Sequence, residues 1–261
     1  MQPEVIVFEL AIPTYWLCAI AGLLACSAVA RFRFRRFRKL ASVDATNAAG
    51  LMLAGLIVGA RLLAIATLVP IAVEHWGVLS HDPSRLLALF SNGMVFYGGL
   101  FGSLAALALY ARRYGLDLNL MLDFFVPLFP LFHAFGRVGC FLNGCCYGRE
   151  CAHWGVAFAS SASAPAGVPL FPIQLVCAAL NLALFAWVAH YERRHRGDGT
   201  SIYAYLAPYA AGRFIIEFFR GDGIRGIFLG LSSSQWISIA VLACLILKVS
   251  SNLSTRRIRR P

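Results

Sequence analysis

The stretch that decides the reading of this chain is His133–Gly148, HAFGRVGCFLNGCCYG, which closes a long apolar run. It holds an arginine, an asparagine, four glycines and three of the chain's eight cysteines. Either side of it the sequence reads as hydrocarbon-spanning helix. Arg137 and Asn143 therefore sit where an unpaired polar group costs several kcal/mol, and polarity kept at such a cost points to a functional site. The plainer alternative is a tight glycine-rich helix end with a few packing cysteines.

Working outward, the chain is 261 residues long, 59% hydrophobic and only 13% charged. Its mean hydropathy is +0.71. A soluble domain is about 45–50% apolar and about 25% charged, so the composition is that of an integral membrane protein. The formal net charge of +11 does not point to nucleic acid. The basic residues are packed into short segments between apolar runs, which is the pattern of topology determinants. The N-terminus, MQPEVIVFEL, lacks a basic n-region and a small-residue cleavage site, so the first apolar run reads as a retained span.

Seven spans are predicted, at 11–30, 48–73, 94–111, 120–140, 172–189, 200–219 and 235–249. The fold class is all-α, and residues 1–261 form a single transmembrane domain. Pro127 and Pro130 interrupt the fourth span. Sixteen of the 23 basic residues fall in RFRFRRFRK (31–39), at Arg112 and Arg113, in HYERRHR (190–196) and from Lys248 onward. By the positive-inside rule these segments are cytoplasmic, which puts the N-terminus outside and the C-terminus inside. The 74–93 connection then lies outside with a short surface helix, and 151–169, small and polar, is an exterior loop.

The seven remaining arginines lie within spans or outside. Tyr209, Arg213, Glu217 and Arg220, in YAAGRFIIEFFRGD, follow one another at spacings of four, four and three, a single helical stripe. Glu217 neutralises one arginine and Asp222 another, while Arg137 and Arg61 have no acid nearby in sequence. An excess of cation at the outer interface suggests a lipid phosphate, since guanidinium presents a bidentate fork to phosphate oxygens. The alternative is a structural Arg–Glu network with snorkelling to headgroups. Cys140, Cys145, Cys146 and Cys151 with His153 admit four readings: loop disulfides, packing residues, a redox-active or catalytic thiol, or a metal site. Zinc sites favour C-x2-C pairs, which this spacing lacks.

Taken together, GRVGCFLNGCCYG, FYGGL, IPTYW, GRFIIEFFR, GARL around Arg61, FPIQL and SSSQWIS resemble, in order and over nearly the whole chain, the motifs of the prolipoprotein diacylglyceryl transferase family. The resemblance implies a multi-pass enzyme of the bacterial inner membrane with its site toward the outer leaflet. Such an enzyme moves a diacylglyceryl group from phosphatidylglycerol to the lipobox cysteine thiol of a preprolipoprotein and releases glycerol phosphate. It implies no metal and no organic cofactor, and gives no reason to expect a nucleic-acid partner.

Four positions depart from the family pattern. Tyr97 stands where the family has a histidine, Cys140 for the signature's first asparagine, Cys145 for its glutamate, and Phe171 for a further histidine. On this resemblance Arg137 and Arg213 clamp the phosphate, Asn143 and Tyr15 orient phosphate or glycerol oxygens, and Glu217 holds Arg213. His133, one turn before Arg137, takes the thiol proton, with Tyr97 donating a hydrogen bond. Arg61, Gly98, Gly99, Gly144, Gly148, Gln174, Arg220 and Gln235 complete the expected substrate-binding set. The alternatives are a paralogue using another phospholipid or thiol acceptor, and a membrane thiol–disulfide protein.

Overall fold

The computed structural model of the chain describes residues 4–7, 10–74, 76–79, 84, 95–159, 161, 163–221 and 227–258. Its helices are α1 (Thr14–Phe34), α2 (Ser42–Glu74), the single turn α3 (Trp76–Leu79), α4 (Phe96–Tyr114), α5 (Leu118–Phe125), α6 (Leu128–Asn143), α7 (Ile173–Arg194), α8 (Ser201–Glu217) and α9 (Ser233–Ile258). Three antiparallel two-stranded ladders accompany them: β1 (Glu4–Val7) with β2 (Leu10–Pro13), β3 (Val156–Ala157) with β4 (Pro169–Leu170), and β5 (Ile227–Phe228) with β6 (Leu231–Ser232). The turn α3 lies in the connection where a short surface helix is expected. Arg85, Asp222 and Arg225 lie outside the described residues.

Five helices are long and apolar enough to cross a membrane: Thr14–Phe34, Ser42–Glu74, Leu118–Asn143, Ile173–Arg194 and Ser233–Ser251. The chain is thus a polytopic membrane protein. The other two expected spans are helical but fall outside that set. One is α8, with 17 residues against the roughly 20 that a bilayer core requires; the other is α4, which ends on Arg112 and Arg113. Apolar side chains such as Leu24, Ile57, Leu62, Trp187 and Leu247 are exposed, as lipid-facing positions are.

The fourth expected span is broken at Val126–Pro127, between α5 and α6. Pro127 breaks it and Pro130 does not. Pro130 lies in the first turn of α6, where a backbone N–H has no intrahelical acceptor to lose.

The chain divides into two compact units, one running to Phe37 and resuming at Asp123, the other from Arg38 to Leu122. In the second, α2 packs on α4 through glycines. A Cβ on Gly59 would strike the carbonyl of Gly98, and one on Gly102 that of Gly55. This is the close backbone approach that small residues permit between apolar helices. Buried Ser103 donates to the Met52 carbonyl at 2.9 Å across the same contact.

In the first unit α1 packs on α6, α6 on α7, α7 on α8, and α8 on α9. Two polar clusters mark its ends. At one, Arg33 donates to the carbonyls of Phe124 (3.1 Å) and Asp123 (2.6 Å) and pairs with Glu192 at 3.4 Å. Arg196 reaches Glu192 at 2.9 Å and the Arg36 carbonyl at 3.3 Å. The Asp123 carboxylate accepts the backbone N–H groups of Gly197, Gly199 and Ser201, fixing the start of α8. RFRFRRFRK is therefore not simply a solvated loop. Its first four residues extend α1, because buried Arg33 finds an acid and two carbonyls there. Tyr15, eighteen residues earlier on α1, lies about 27 Å from Arg33 along the helix, at the other cluster.

Candidate active site

The second cluster is built on the C-terminal end of α6. Gly144 takes φ +67° and caps the helix. Its N–H reaches the Phe141 carbonyl at 3.2 Å while that of Cys145 reaches Cys140 at 3.0 Å, a Schellman closure. Gly148 then sits where three backbone segments cross. Its N–H bonds the Phe171 carbonyl at 3.2 Å, and a Cβ there would meet that oxygen at 2.5 Å and the Phe219 carbonyl at 3.1 Å. The Gly144 and Gly148 expected to bind substrate thus shape the backbone. The following loop is less open than its small polar composition suggests: Phe158, Ala164 and Leu170 form a core of their own against Phe141 and Tyr147.

Arg137, Arg213 and Arg220 are all buried, at 7%, 6% and 8% exposure. The stripe on α8 is as the spacing predicts: Arg213 pairs with Glu217 at 2.6 Å, and Arg220 approaches the same carboxylate at 3.9 Å. Arg213 also donates to Ser234 at the start of α9, at 3.1 Å. Arg137 is different. Its Nε–H donates to His133 Nε2 at 3.0 Å, the i, i+4 contact expected of one helical face, and among the described residues no carboxylate pairs with it. A buried cation held by a neutral imidazole alone is the arrangement that calls for an anion.

His133, Arg137 and Arg213 line one wall of a cavity of about 410 Å³ between α7 and α8. Leu180, Leu184, Trp187, Pro208 and Ile216 make its other wall, and Asn181 and Tyr209 complete the polar side. Such a cavity suits an amphiphile whose anionic end meets the two guanidinium groups.

Gly139 admits Tyr15 from α1: a Cβ there would lie 3.2 Å from the Tyr15 ring. Asn143, the last residue of α6, hydrogen-bonds the Cys145 thiol. Gln174 donates to the Cys145 carbonyl at 2.9 Å, which ties α7 to the loop. Gln235 is occupied structurally. Its Oε1 accepts the Ser232 N–H at 2.9 Å while Ser232 Oγ accepts the Gln235 N–H at 3.3 Å, a reciprocal capping box, and Nε2 reaches the Phe214 carbonyl at 3.4 Å. Tyr97, Arg61, Gly98 and Gly99 belong to the other unit. Tyr97 is 2% exposed and stacks on Phe101, and the open side of Gly98 faces the α2 backbone at Gly59.

All eight cysteines are free thiols. The Sγ atoms of Cys140, Cys145 and Cys146 lie within 4.8 Å of one another. Hydrogen bonds with Cys140 and Cys145, then the charges of Arg220 and Arg137, hold the Cys146 thiol well below the ordinary thiol range against the opposing effect of burial.

A family model described as prolipoprotein diacylglyceryl transferase matches residues 3–250. The chain belongs to that family. Among similar members is the phosphatidylglycerol–prolipoprotein diacylglyceryl transferase 2 of Clostridium perfringens, 36% identical over 187 residues, 71% of this chain and 70% of the relative. The corresponding transferase of Nitrosospira multiformis is 33% identical over 242 residues, 89% and 80% of the two chains. That of Clostridium tetani is 38% identical over 159 residues, 60% and 64%. Against the prolipoprotein diacylglyceryl transferase signature, two substituted positions, Cys140 and Cys145, come together with Cys146. Ser234, Asn181 and Trp187 were not legible as site residues, because nothing in their local sequence distinguishes them from ordinary helix positions.

Proposed function

We propose that the chain transfers a diacylglyceryl group from phosphatidylglycerol to the cysteine thiol of a prolipoprotein lipobox, with release of glycerol phosphate. One observation carries this reading: two buried arginines, one lacking any carboxylate among the described residues, face an apolar wall across a cavity of about 410 Å³. The thiol sulfur attacks the glyceryl carbon that bears the phosphate ester. A C–S bond forms, the C–O bond breaks, and the departing phosphate gains a negative charge. Arg137 and Arg213 stabilise that charge from fixed positions in a water-poor site. Glu217 and Ser234 orient Arg213, and Tyr15 and Asn143 flank Arg137 for contact with glycerol or phosphate oxygens.

His133 Nε2 is engaged by Arg137 in the free protein. When the guanidinium turns to the phosphate, that lone pair is released to accept the thiol proton, so phosphate binding and base activation are coupled. Tyr97 donates to the headgroup, with Arg61 beside it in the substrate-binding set.

On the same reading the chain lies in the bacterial inner membrane with seven spans, α4 and α8 included, the N-terminus outside and the site toward the outer leaflet. The gathering of Arg33, Arg36 and Arg196 at the end of the first unit away from Arg137 supports this sidedness. The test is reconstitution in phosphatidylglycerol vesicles with a lipobox peptide, with thioether formation read by mass. Transfer is expected with the wild-type protein and not with peptide whose cysteine is replaced by serine. Absence of transfer, together with failure to sustain a strain depleted of its own transferase, would refute the assignment.

A further inference from the structure

Every titratable group drawn into the family's reaction is accounted for above, but the three converging thiols are not. Cys140 comes from the last turn of α6, and Cys145 and Cys146 follow the Gly144 cap, which reverses the chain and returns two consecutive residues toward the helix. Cys146 adopts φ +58°, a left-handed conformation that a non-glycine residue seldom takes. That turn places its sulfur beside the other two. The chain thus holds Cys146 in an unfavourable backbone state where a glycine would serve, and what the state secures is a third sulfur.

Metal–thiolate bonds of about 2.3 Å around one ion put three sulfurs about 4 Å apart, against the 4.8 Å within which they already lie. The contraction needed is under an ångström and lies within side-chain rotation. No histidine or carboxylate joins the group among the described residues, so the donor set is wholly soft and three-coordinate. Zinc closes structural sites with four ligands, whereas soft thiolates without nitrogen or oxygen donors select a monovalent d10 ion. Three thiolates and one monovalent cation carry a net charge of minus two. Arg137 and Arg220, whose fields both act on Cys146, supply two positive charges beside it.

We propose that Cys140, Cys145 and Cys146 form a three-thiolate site for Cu(I). The inference does not rest on the transferase reading, since it concerns residues that depart from the family signature and is read out by metal content.

The experiment titrates the full-length protein, purified in detergent under reductant, with Cu(I) against a chromogenic chelator. X-ray absorption of the loaded protein, which needs no variant, counts the sulfur neighbours. One equivalent of copper with three sulfur ligands is expected. It should be lost in each of Cys140→Ser, Cys145→Ser and Cys146→Ser, and kept in Cys151→Ser and Cys244→Ser. Two sulfur ligands, no copper uptake by reduced protein, or preferential retention of zinc over Cu(I) would each overturn the proposal. So would a disulfide among the three in protein alkylated before reduction, if subsequent reduction restored no copper binding. Because the spectroscopic count uses the wild-type chain, a serine variant that fails to fold does not protect the idea from refutation.

Discussion

Substitution at Arg137 separates a catalytic cation from a structural one. Lysine at this position keeps the charge but loses the planar fork, so it can hold either the His133 lone pair or the phosphate with a single donor direction. Losing one charge-assisted hydrogen bond costs about 1.5–3 kcal/mol, which is roughly a 10- to 150-fold fall in kcat/KM. Alanine removes the charge as well and is expected to lower transfer about a thousand-fold or more. Methionine gives the sharper contrast. It fills a similar volume, and a buried cation without a carboxylate is replaced by an apolar side chain, so Arg137→Met should unfold at the wild-type temperature or above it while losing activity. The assay pairs thioether formation on a lipobox peptide in phosphatidylglycerol vesicles with thermal unfolding of the same preparation. Near-normal transfer by Arg137→Ala would falsify the phosphate clamp. A large drop in melting temperature for Arg137→Met, matched by the loss of activity, would make the arginine structural.

Glu217→Gln removes the carboxylate shared by Arg213 and Arg220, and breaking a buried pair of this kind should cost about 3–5 kcal/mol in stability, read as a lowered midpoint of thermal unfolding. Gly59→Leu should separate α2 from α4, because the side chain has only the Gly98 carbonyl to enter; a correctly folded, fully stable variant would disprove that close contact. With a substrate thiol near pKa 8.5, His133→Ala should lose rate mainly below about pH 8 and recover as the thiol ionises unaided, while Tyr97→Phe should lose rate at every pH. An undiminished profile for His133→Ala eliminates it as the base. A cytoplasm-dependent reporter fused after Arg38 or His195 should be active and one fused after Ser163 silent, and reversal at two of these sites ends the proposed sidedness.

Helix positions were legible because hydrocarbon imposes one rule on every backbone: its polar groups are satisfied within a helix, so apolar runs of sufficient length declare themselves. The stripe Tyr209–Arg213–Glu217–Arg220 was legible for a related reason, since the spacing alone puts those side chains on one face. Burial of Arg33 was not legible. Its partner Glu192 lies more than 150 residues away, and a run of arginines and phenylalanines reads locally as a solvated loop. The break at Pro127 was expected while the tolerance of Pro130 was not, because the outcome depends on where the new helix starts, which is settled by the Val126 carbonyl and not by the proline.

The glycines show how a site can be correctly located and its parts still misassigned. Gly98, Gly144 and Gly148 cluster with reactive residues, and from sequence each is equally suited to admit a ligand or another backbone. The neighbours decide. Carbonyls of Gly59 and Phe171 occupy the space beside Gly98 and Gly148, and Ser161 that beside Gly144. What these glycines contribute is the tight packing and turning of backbone that brings Cys145 and Cys146 back toward Cys140 and holds the end of α6 in place. The opening that a lipid needs is made elsewhere, by Trp187, Leu184 and Pro208 on α7 and α8, residues whose role emerges only when the two helices are set side by side. A larger side chain at Gly212, which has nothing within 4 Å and lines the same cavity, would therefore obstruct the lipid without disturbing a helix contact.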